Sequence, residues 1–344
     1  KGIDSANFDN VERLMYIGSR GMGALEYSPD EGPKEPEDER LNLDELHRIA
    51  AAIIEDRNDF SDSFDDPSRA VMNLFLVGSS AGGARPKAIL AWNPQTNEIR
   101  SGRAEAGAGF EYWLLKFDGV REFSDREFGE GLGYGKVEFA YHEMAAAAGI
   151  NLAPARLLNE DGRSHFMTKR FDRSDDGRKT HMLTLAALCH YDFEQAGAYS
   201  YEQCFGAIRR MGLGSDVAEQ QFRRMAFNAV ARNQDDHVKN IAFLMDRAGE
   251  WSLSPAYDVT HSYKPTGVWT SQHQMSINGR RDGFERTDFK DVAETASMPT
   301  GRGLQILDEV VEVVSSWSDF AEASGVTEEK SAQVAESHRL SLGS

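Results

Sequence analysis

Cysteine is nearly absent from this sequence: Cys189 and Cys204 are the only two among 344 residues. Their positions fit no zinc-ligand spacing, and one pair of cysteines makes no disulfide framework. This argues against a structural zinc site and against a small, disulfide-stabilised secreted domain. We expect both side chains to act as small apolar residues in a reducing compartment.

Long apolar runs and long basic runs are also missing. No stretch approaches the roughly 18 apolar residues of a membrane-spanning helix, and no basic-then-apolar signal segment is present, so we expect a cytoplasmic protein without a membrane partner. Lys and Arg total 38 against 56 Asp and Glu, a net charge of −18. That balance argues against direct binding to a nucleic-acid backbone.

What is present is a change of pattern along the chain. The runs AILAW (88–92), EYWLLKF (111–117) and RSHFMTKRFDR (163–173) predict strands, and KVEFAYHEMAAAAGI (136–150) predicts a helix that ends at Gly149. Helical periods dominate after about residue 180, in TLAALCHYDF (184–193), YEQCFGAIRRMG (201–212) and the segment 217–233. Earlier short helices are predicted at 43–54 and 69–76. The pattern indicates an α+β fold with a β-rich first lobe, residues 1–175, and a mainly helical second lobe, residues 176–344.

A glycine-rich stretch, GSSAGGARPKAIL, runs from Gly78 to Leu90. Gly78 and Gly83 have the G-x-x-x-x-G spacing of a P-loop, but no lysine follows Gly83 directly, and Lys87 leads into a strand instead of a helix. This excludes a P-loop NTPase. Two interpretations remain: a structural glycine turn, or a turn whose backbone N–H groups face an anion with Lys87 nearby.

The segment NQDDHVKN (233–240) carries the strongest single motif. Asp235 and Asn240 have the D-x-x-x-x-N spacing of a kinase catalytic loop, in which the Asp accepts a hydroxyl proton and the Asn holds magnesium. Asp258 follows eighteen residues after Asn240, and a hairpin between them would bring both oxygen ligands to one Mg²⁺ ion. His237 either orients Asp235 or forms a structural hydrogen bond. The alternative is a polar turn after a helix, with Asp258 on the surface.

Lys116 is the one cation in the apolar run YWLLKF (112–117). Such a lysine is costly unless it is paired or faces a cleft, and Glu138 near the start of the predicted helix is its natural partner. The alternatives are a lysine that reaches solvent from an edge strand and a glutamate placed by the helix dipole.

Taken together, these blocks resemble the HipA family of serine/threonine kinases, the toxins of HipA–HipB toxin–antitoxin modules. The similar blocks are SSAGGARPK, YWLLKF, VEFAYHEMAAAAGINL, MTKRFDR, NQDDHVKN and LSPAYDV, in family order, over roughly residues 15 to 320. The resemblance implies a two-lobed, protein-kinase-like fold, ATP and Mg²⁺ as cofactors, and a HipB-like DNA-binding antitoxin as partner. It also implies a protein substrate such as glutamyl-tRNA synthetase or a similar translation factor.

The resemblance also implies roles for individual residues. Asp235 matches the catalytic base, His237 and Lys239 lie in the same catalytic loop, and Asn240 and Asp258 match the metal ligands. Ser80 matches the serine that family members autophosphorylate to switch themselves off. The implied nucleotide contacts are Ser80, Ala81, Gly82, Gly83, Lys87, Lys116, Glu138, Lys169, Phe171 and Asn240.

Two other functions fit the same sequence. A non-catalytic module that binds an antitoxin as co-repressor would not depend on Asp235 or on ATP. A small-molecule kinase on the same fold would share the ATP site and differ only in its acceptor.

Overall fold

A computed structural model of the chain describes residues 9–32, 87–102, 106–119 and 132–343. The helices predicted at 43–54 and 69–76 and the glycine-rich stretch before Lys87 lie outside these residues. The helices described are α1 (Asn10–Ile17), α2 (Tyr134–Ala147), α3 (Leu185–Cys189), α4 (Tyr201–Arg210), α5 (Ser215–Val230), α6 (Arg286–Thr295), α7 (Arg302–Ser315), α8 (Trp317–Ala323) and α9 (Glu328–Ser337). The strands described are β1 (Lys87–Trp92), β2 (Ile99–Ser101), β3 (Glu111–Lys116), β4 (Ala155–Glu160), β5 (Arg163–Lys169), β6 (His181–Thr184), β7 (Tyr199–Ser200), β8 (Ala242–Met245), β9 (Trp251–Leu253) and β10 (Met275–Ser276).

An antiparallel sheet of five strands, in the order β2-β1-β3-β5-β4, builds the first lobe. Its strands β1, β3 and β5 confirm the three runs that predicted strands. Every residue of β1 is buried, which explains why AILAW reads as a continuous apolar run and not as an alternating one. In the β1–β3 pairing, Lys87 lies directly opposite Lys116, so both side chains emerge on the same face of the sheet.

Helix α2 packs against β4 and β5 and confirms the predicted helix, with Gly149 at φ +79 just beyond its end. Asp118, two residues beyond the end of β3, accepts hydrogen bonds from the backbone N–H groups of Gly133 (3.0 Å) and Ser164 (3.2 Å). In the first turn, Gly135 lies so close to β5 that an added Cβ would be 1.8 Å from the Ser164 carbonyl oxygen. The helix start is therefore fixed against the sheet.

The second lobe is organised around α5. Phe222, Met225 and Phe227 of this helix are fully buried, and α7 packs along it with Ile306 and Val310 also buried. The predicted hairpin at 241–253 is confirmed as β8 and β9, which pair antiparallel and join β6 in a three-stranded sheet. Together the sheet lobe and the helical lobe form the two-lobed architecture expected from the sequence.

The run TLAALCHYDF is less helical than predicted, because only the five residues of α3 are helical. Thr184 belongs to β6 and caps α3, its hydroxyl accepting the Ala187 N–H at 3.2 Å. His190 then takes a left-handed conformation, φ 56, that ends the helix. Local capping at both ends overrides the helical period here.

The structure bears on two sequence features, the cysteines and the lack of long apolar runs. Cys204 is buried, Cys189 is partly exposed, and both are free thiols. Across residues 9–32, 87–102, 106–119 and 132–343, no helix is long and apolar enough to cross a membrane.

Two neutral histidines pack beside the end of α5. The Tyr141 hydroxyl donates to the Ala231 carbonyl (2.7 Å), so it accepts from Nε2–H of His338 (2.9 Å). His261 lies edge-on to the same tyrosine ring, with centroids 6.1 Å apart. Burial lowers the pKa of His338 to about 4 and the pKa of His261 to about 3.

These histidines predict a loss of stability in mild acid. In the unfolded chain they bind protons below about pH 6.5, whereas in the folded protein they do so only near pH 4 and below. Stability is therefore lost as pH falls from about 6.5 towards 4, by roughly 2–4 kcal/mol at pH 5. Urea unfolding at pH 7 and pH 5 measures this loss. The double variant His261→Gln/His338→Gln should reduce it, and an unchanged pH dependence would contradict the assignment.

The close approach at Gly135 predicts that Gly135→Ala destabilises the protein by about 1–3 kcal/mol, because the new methyl group has to displace α2 from the Ser164 carbonyl. Gly206→Ala in α4 is the matched control, since its Cβ would meet only the Arg210 side chain at 3.6 Å. That control should be neutral or stabilise by up to about 1 kcal/mol. The urea midpoints of both variants test the comparison, and equal midpoints would refute it.

Candidate functional site

The end of α5 places Asp235. After Val230 the chain turns at Arg232, φ 58, and Asn233 forms a parallel bridge with Ser262. This bridge holds the segment that follows Asp258 beside the segment that leads into Asp235. The two carboxylates therefore come to the same cleft, as the predicted hairpin requires.

The loop from Asp235 to Asn240 is closed by its own hydrogen bonds. The Asn240 side-chain nitrogen donates to the Asp235 backbone carbonyl at 2.8 Å, and the Asn240 N–H donates to the His237 carbonyl at 2.8 Å. Because the amide nitrogen is bound inside the loop, the amide oxygen of Asn240 points away from that carbonyl. The D-x-x-x-x-N spacing thus has a geometric reason.

Asp235 is held by an aromatic donor. The indole Nε1–H of Trp269 donates to Asp235 Oδ1 at 2.6 Å, while Nε2 of His237 lies 3.9 Å from the same oxygen. Burial raises the pKa of Asp235; the Asp258 carboxylate acts in the same direction, and His237 and the Trp269 bond act against it. A carboxylate of raised pKa is a better proton acceptor than an exposed one.

A buried ammonium joins three elements. Nζ of Lys116 on β3 contacts Glu138 Oε1 on α2 and Asp258 Oδ1 in the segment after β9. The Lys116 and Glu138 side chains are 8% and 2% exposed, and Asp258 retains 27%. Although burial favours the uncharged forms, the contacts raise the pKa of Lys116 above its usual value and hold the pKa of Asp258 far below its own. Asp258 adopts the left-handed conformation, φ 57, which is uncommon for a residue other than glycine.

Lys87 lies near the same charged side chains as Lys116. It is buried, and burial together with the like charge of Lys116 lowers its pKa, against the attraction of Asp258, Glu138 and Asp235. Two lysines from neighbouring strands therefore lie near three carboxylates: Glu138 belongs to the same lobe as the lysines, and Asp235 and Asp258 come from the other lobe.

Lys169 and Phe171 lie at the passage between the lobes. Nζ of Lys169 is 3.1 Å from Glu111 Oε1 and 2.8 Å from Asp175 Oδ1, so its ammonium is held by these two carboxylates. The Phe171 ring lies 5.7 Å from the ring of Tyr257, the residue before Asp258. Of the two, Phe171 is the one that the structure connects to the cleft.

His237 and Lys239 both lie against Phe193. Nζ of Lys239 is 3.3 Å from the Phe193 ring centroid, and the His237 ring packs edge-on at 5.7 Å. Burial lowers the pKa of Lys239, with Glu194 opposing it. Nδ1 of His237 is buried without a hydrogen-bond partner. The Lys239 ammonium thus sits beside Phe193, and a direct role on a phosphate requires its side chain to move.

The sequence did not single out Asp236, the second residue of the 235–240 loop, whose carboxylate is buried. It accepts hydrogen bonds from the Tyr201 hydroxyl (2.8 Å), from Nδ1–H of His273 (2.9 Å) and from the Gln274 backbone N–H (2.8 Å). Although burial opposes this, these donors keep its pKa below the usual value. In the sequence, only the adjacent acidic pair in NQDDHVKN pointed to Asp236. That pair did not indicate which of the two carboxylates is the buried anchor, meaning the one held by hydrogen bonds inside the protein.

The donor set suits magnesium. Asn240 Oδ1 and the Asp258 carboxylate are the hard oxygen ligands that Mg²⁺ takes, with water and phosphate oxygens completing its shell. Within the described residues, no group of three or more His, Cys, Asp or Glu side chains could hold a metal on its own. These described residues therefore do not form a self-sufficient metal cage.

Two solved structures align with this chain, and the first of them supports the fold. HipA in the Shewanella oneidensis MR-1 complex of HipA, HipB and operator DNA aligns with a TM-score of 0.68 and 15% identity, covering 98% of this chain and 77% of that one. The Helicobacter pylori proinflammatory kinase CtkA aligns with a TM-score of 0.43 and 12% identity, covering 75% of this chain and 94% of that one.

Among curated proteins, "Putative kinase Y4mE" of Sinorhizobium fredii is 28% identical over 126 residues, which are 34% of this chain and 30% of that protein. The match to this relative thus spans less than a third of its length.

The fold defines the class: a mixed α/β protein with the two-lobed, kinase-like fold of HipA. The sequence profile of the HipA-like C-terminal domain matches residues 79–317, and the chain belongs to this family.

The two lysines of the cleft predict unequal costs of removal. Lys116→Met should lower the free energy of unfolding by about 3–5 kcal/mol, because it leaves Glu138 and Asp258 without their ammonium. Lys87→Met, equally buried on the neighbouring strand, should cost clearly less, because its charge is disfavoured in the folded protein. Urea unfolding without nucleotide measures both. A larger loss for Lys87→Met would show that the charges are balanced differently.

Proposed function

We propose that this chain is an Mg·ATP-dependent serine/threonine-protein kinase of the HipA type. The observation that carries the proposal is the contact of Lys116 with both Glu138 and Asp258, beside the loop that carries Asp235 and Asn240. A lysine on a sheet strand, a helix glutamate and a catalytic-loop aspartate are the parts that a kinase uses on its phosphates and acceptor.

In the proposed reaction, Asp235 accepts the proton of an acceptor hydroxyl. The hydroxyl oxygen bonds to the γ-phosphorus, the bond from that phosphorus to the bridging oxygen breaks, and ADP leaves with the electron pair. Lys116 and Lys87 bring positive charge to the phosphates, and Glu138 keeps Lys116 oriented. Phe171, whose ring packs near Tyr257, is proposed to contact the adenine. Lys169 is proposed to contact it only through its backbone, since its ammonium is engaged by Glu111 and Asp175.

Asn240 and Asp258 would hold magnesium. When bound, Mg²⁺ supplies charge neutralisation of the phosphate oxygens. His237 and Lys239, against Phe193, are assigned to the acceptor side of the loop, where they would shape the entry to Asp235.

The glycine-rich loop, including Ser80, Ala81, Gly82 and Gly83, is proposed to cover the ATP phosphates. A phosphate on Ser80 would add close to two negative charges to a loop that has to approach other phosphates, so autophosphorylation would expel the loop and switch the enzyme off. We assign the loop to a first lobe of residues 1–175 and the catalytic loop to a second lobe of residues 176–344.

The acceptor and partner are assigned by family. A protein substrate is proposed, with glutamyl-tRNA synthetase or a similar translation factor as the first to test. The solved HipA structure is a complex with HipB and operator DNA, which supports a HipB-like antitoxin as partner. The chain would then act as a cytoplasmic toxin.

The proposal predicts that the purified chain gains one phosphate with Mg·ATP and that Asp235→Asn lowers this transfer by at least about 100-fold, because it removes the general base. Intact mass with peptide mapping measures the gain and should locate it at Ser80. Asp319→Asn, an exposed carboxylate on α8, is the matched control and should behave as the wild type. Near-normal transfer by Asp235→Asn would overturn the assignment, and absence of transfer by the wild type would favour the non-catalytic alternative.

A further inference from the structure

One short segment donates hydrogen bonds to both Asp235 and Asp236. Residues 269–274 lie beyond Asp258 in the chain and return to the catalytic loop. Trp269 at the start of this segment donates its indole N–H to Asp235. His273 and Gln274 at its end donate to Asp236. The 269–274 segment therefore contacts the proposed base and the buried anchor next to it.

The hydrogen bond from Trp269 to Asp235 is short. The indole nitrogen of tryptophan is a donor only, and at 2.6 Å from Asp235 Oδ1 it makes a charge-assisted hydrogen bond. It uses one of the roughly four acceptor positions of a carboxylate. The carboxylate can thus be held by Trp269 and still accept a hydrogen bond from the hydroxyl group of the phosphate-accepting substrate.

Trp269 is itself anchored to buried groups. The Gln274 side-chain amide donates to the Trp269 backbone carbonyl, and the Gln274 backbone N–H is bound to Asp236 at 2.8 Å. The indole therefore approaches Asp235 from a backbone that is fixed by the neighbouring carboxylate.

The anchor continues to the C-terminal part of the chain. An Arg339 guanidinium nitrogen lies 3.0 Å from Nε2 of His273. Because arginine can only donate, Nε2 accepts and the ring proton is on Nδ1, where it is given to Asp236. Arg339 also donates to the Ala229 carbonyl at 2.8 Å, near the end of α5. The 269–274 segment is thus tied to the helix that leads into the catalytic loop.

We propose that Trp269 is a positioning residue for Asp235: its indole N–H fixes the carboxylate in the orientation that receives the proton of the acceptor hydroxyl. The inference rests on the proposed phosphotransfer and deepens it. General-base catalysis depends on the base lying within hydrogen-bond reach of its proton, and small misplacements are costly. A carboxylate free to rotate about its χ angles would spend less time in that geometry.

Two substitutions separate the hydrogen bond from simple packing. Trp269→Phe keeps an aromatic ring and removes the N–H. Trp269→His removes ring area and restores a donor, because an imidazole has the shape of the five-membered ring of indole and its Nε2–H can take the place of Nε1–H. Assays at about pH 8 keep that imidazole neutral. Trp251→Phe on β9, whose ring packs edge-on against His181, is the matched control.

We expect Trp269→Phe to lower kcat for phosphate transfer by about 10- to 100-fold with little change in KM for ATP. Trp269→His should recover at least half of that loss on a logarithmic scale. Trp251→Phe should keep the wild-type kcat. All three variants should remain folded at the assay temperature, which thermal unfolding measures. Wild-type kcat in Trp269→Phe, or no recovery in Trp269→His, would overturn the positioning role.

A second readout does not depend on activity. The ¹⁵N-labelled chain has five tryptophans, and the indole N–H signal that disappears in Trp269→Phe belongs to Trp269. Asp235→Ala should shift this signal and speed its exchange with solvent. An unresponsive signal refutes the bond whatever the activity is. If the signal responds but the wild type transfers no phosphate, the proposed function fails and the positioning role fails with it, while the bond stands.

Discussion

One buried ammonium group fixes the relation between the two lobes. Lys116 leaves the sheet on β3 and meets a carboxylate from α2 and another from the segment after β9. A buried cation is costly unless it is paired and hydrogen-bonded, so the three elements have to be in place together. The Gly135 contact with β5 and the Asp118 bonds at the start of α2 set the helix, and the Asn233–Ser262 bridge sets the other carboxylate.

The neighbouring aspartates 235 and 236 divide two tasks between them. Burial raises the pKa of Asp235, whereas His273, Tyr201 and the Gln274 N–H keep the pKa of Asp236 low against the same burial. When the surroundings of two carboxyl groups move their pKa values in opposite directions, one group is often reactive and the other supports it. Here the low-pKa carboxylate is fully enclosed and bound by three donors, which suits an anchor. The raised one faces the cleft, which suits a base.

Much of the fold could be predicted from local patterns in the sequence. The apolar runs of β1 and β3, the alanine-rich α2 and the hairpin of β8 and β9 depend on neighbouring residues and were predictable. Lys116 was identified because a cation in an apolar strand needs a partner. Trp269 and Arg339 gave no signal, because their partners lie 34 residues or more away in the chain. The Lys239 contact with Phe193 was missed for the same reason. The early end of α3 was missed for a different one, because local capping by Thr184 and His190 overrides the helical period.

The charges of the cleft also determine how a nucleotide would have to enter it. Without nucleotide, Lys116 neutralises Asp258, whose pKa is far below its usual value because of that contact. Under the proposed function, phosphates compete for Lys116, and Asp258 would then be a half-buried carboxylate without its cation. A divalent ion that arrives with the phosphates replaces the lost charge at Asp258. Phosphate and metal binding are therefore coupled through Lys116: phosphate without the metal leaves the Asp258 carboxylate unpaired, whereas Lys116 still has Glu138 when the metal takes Asp258.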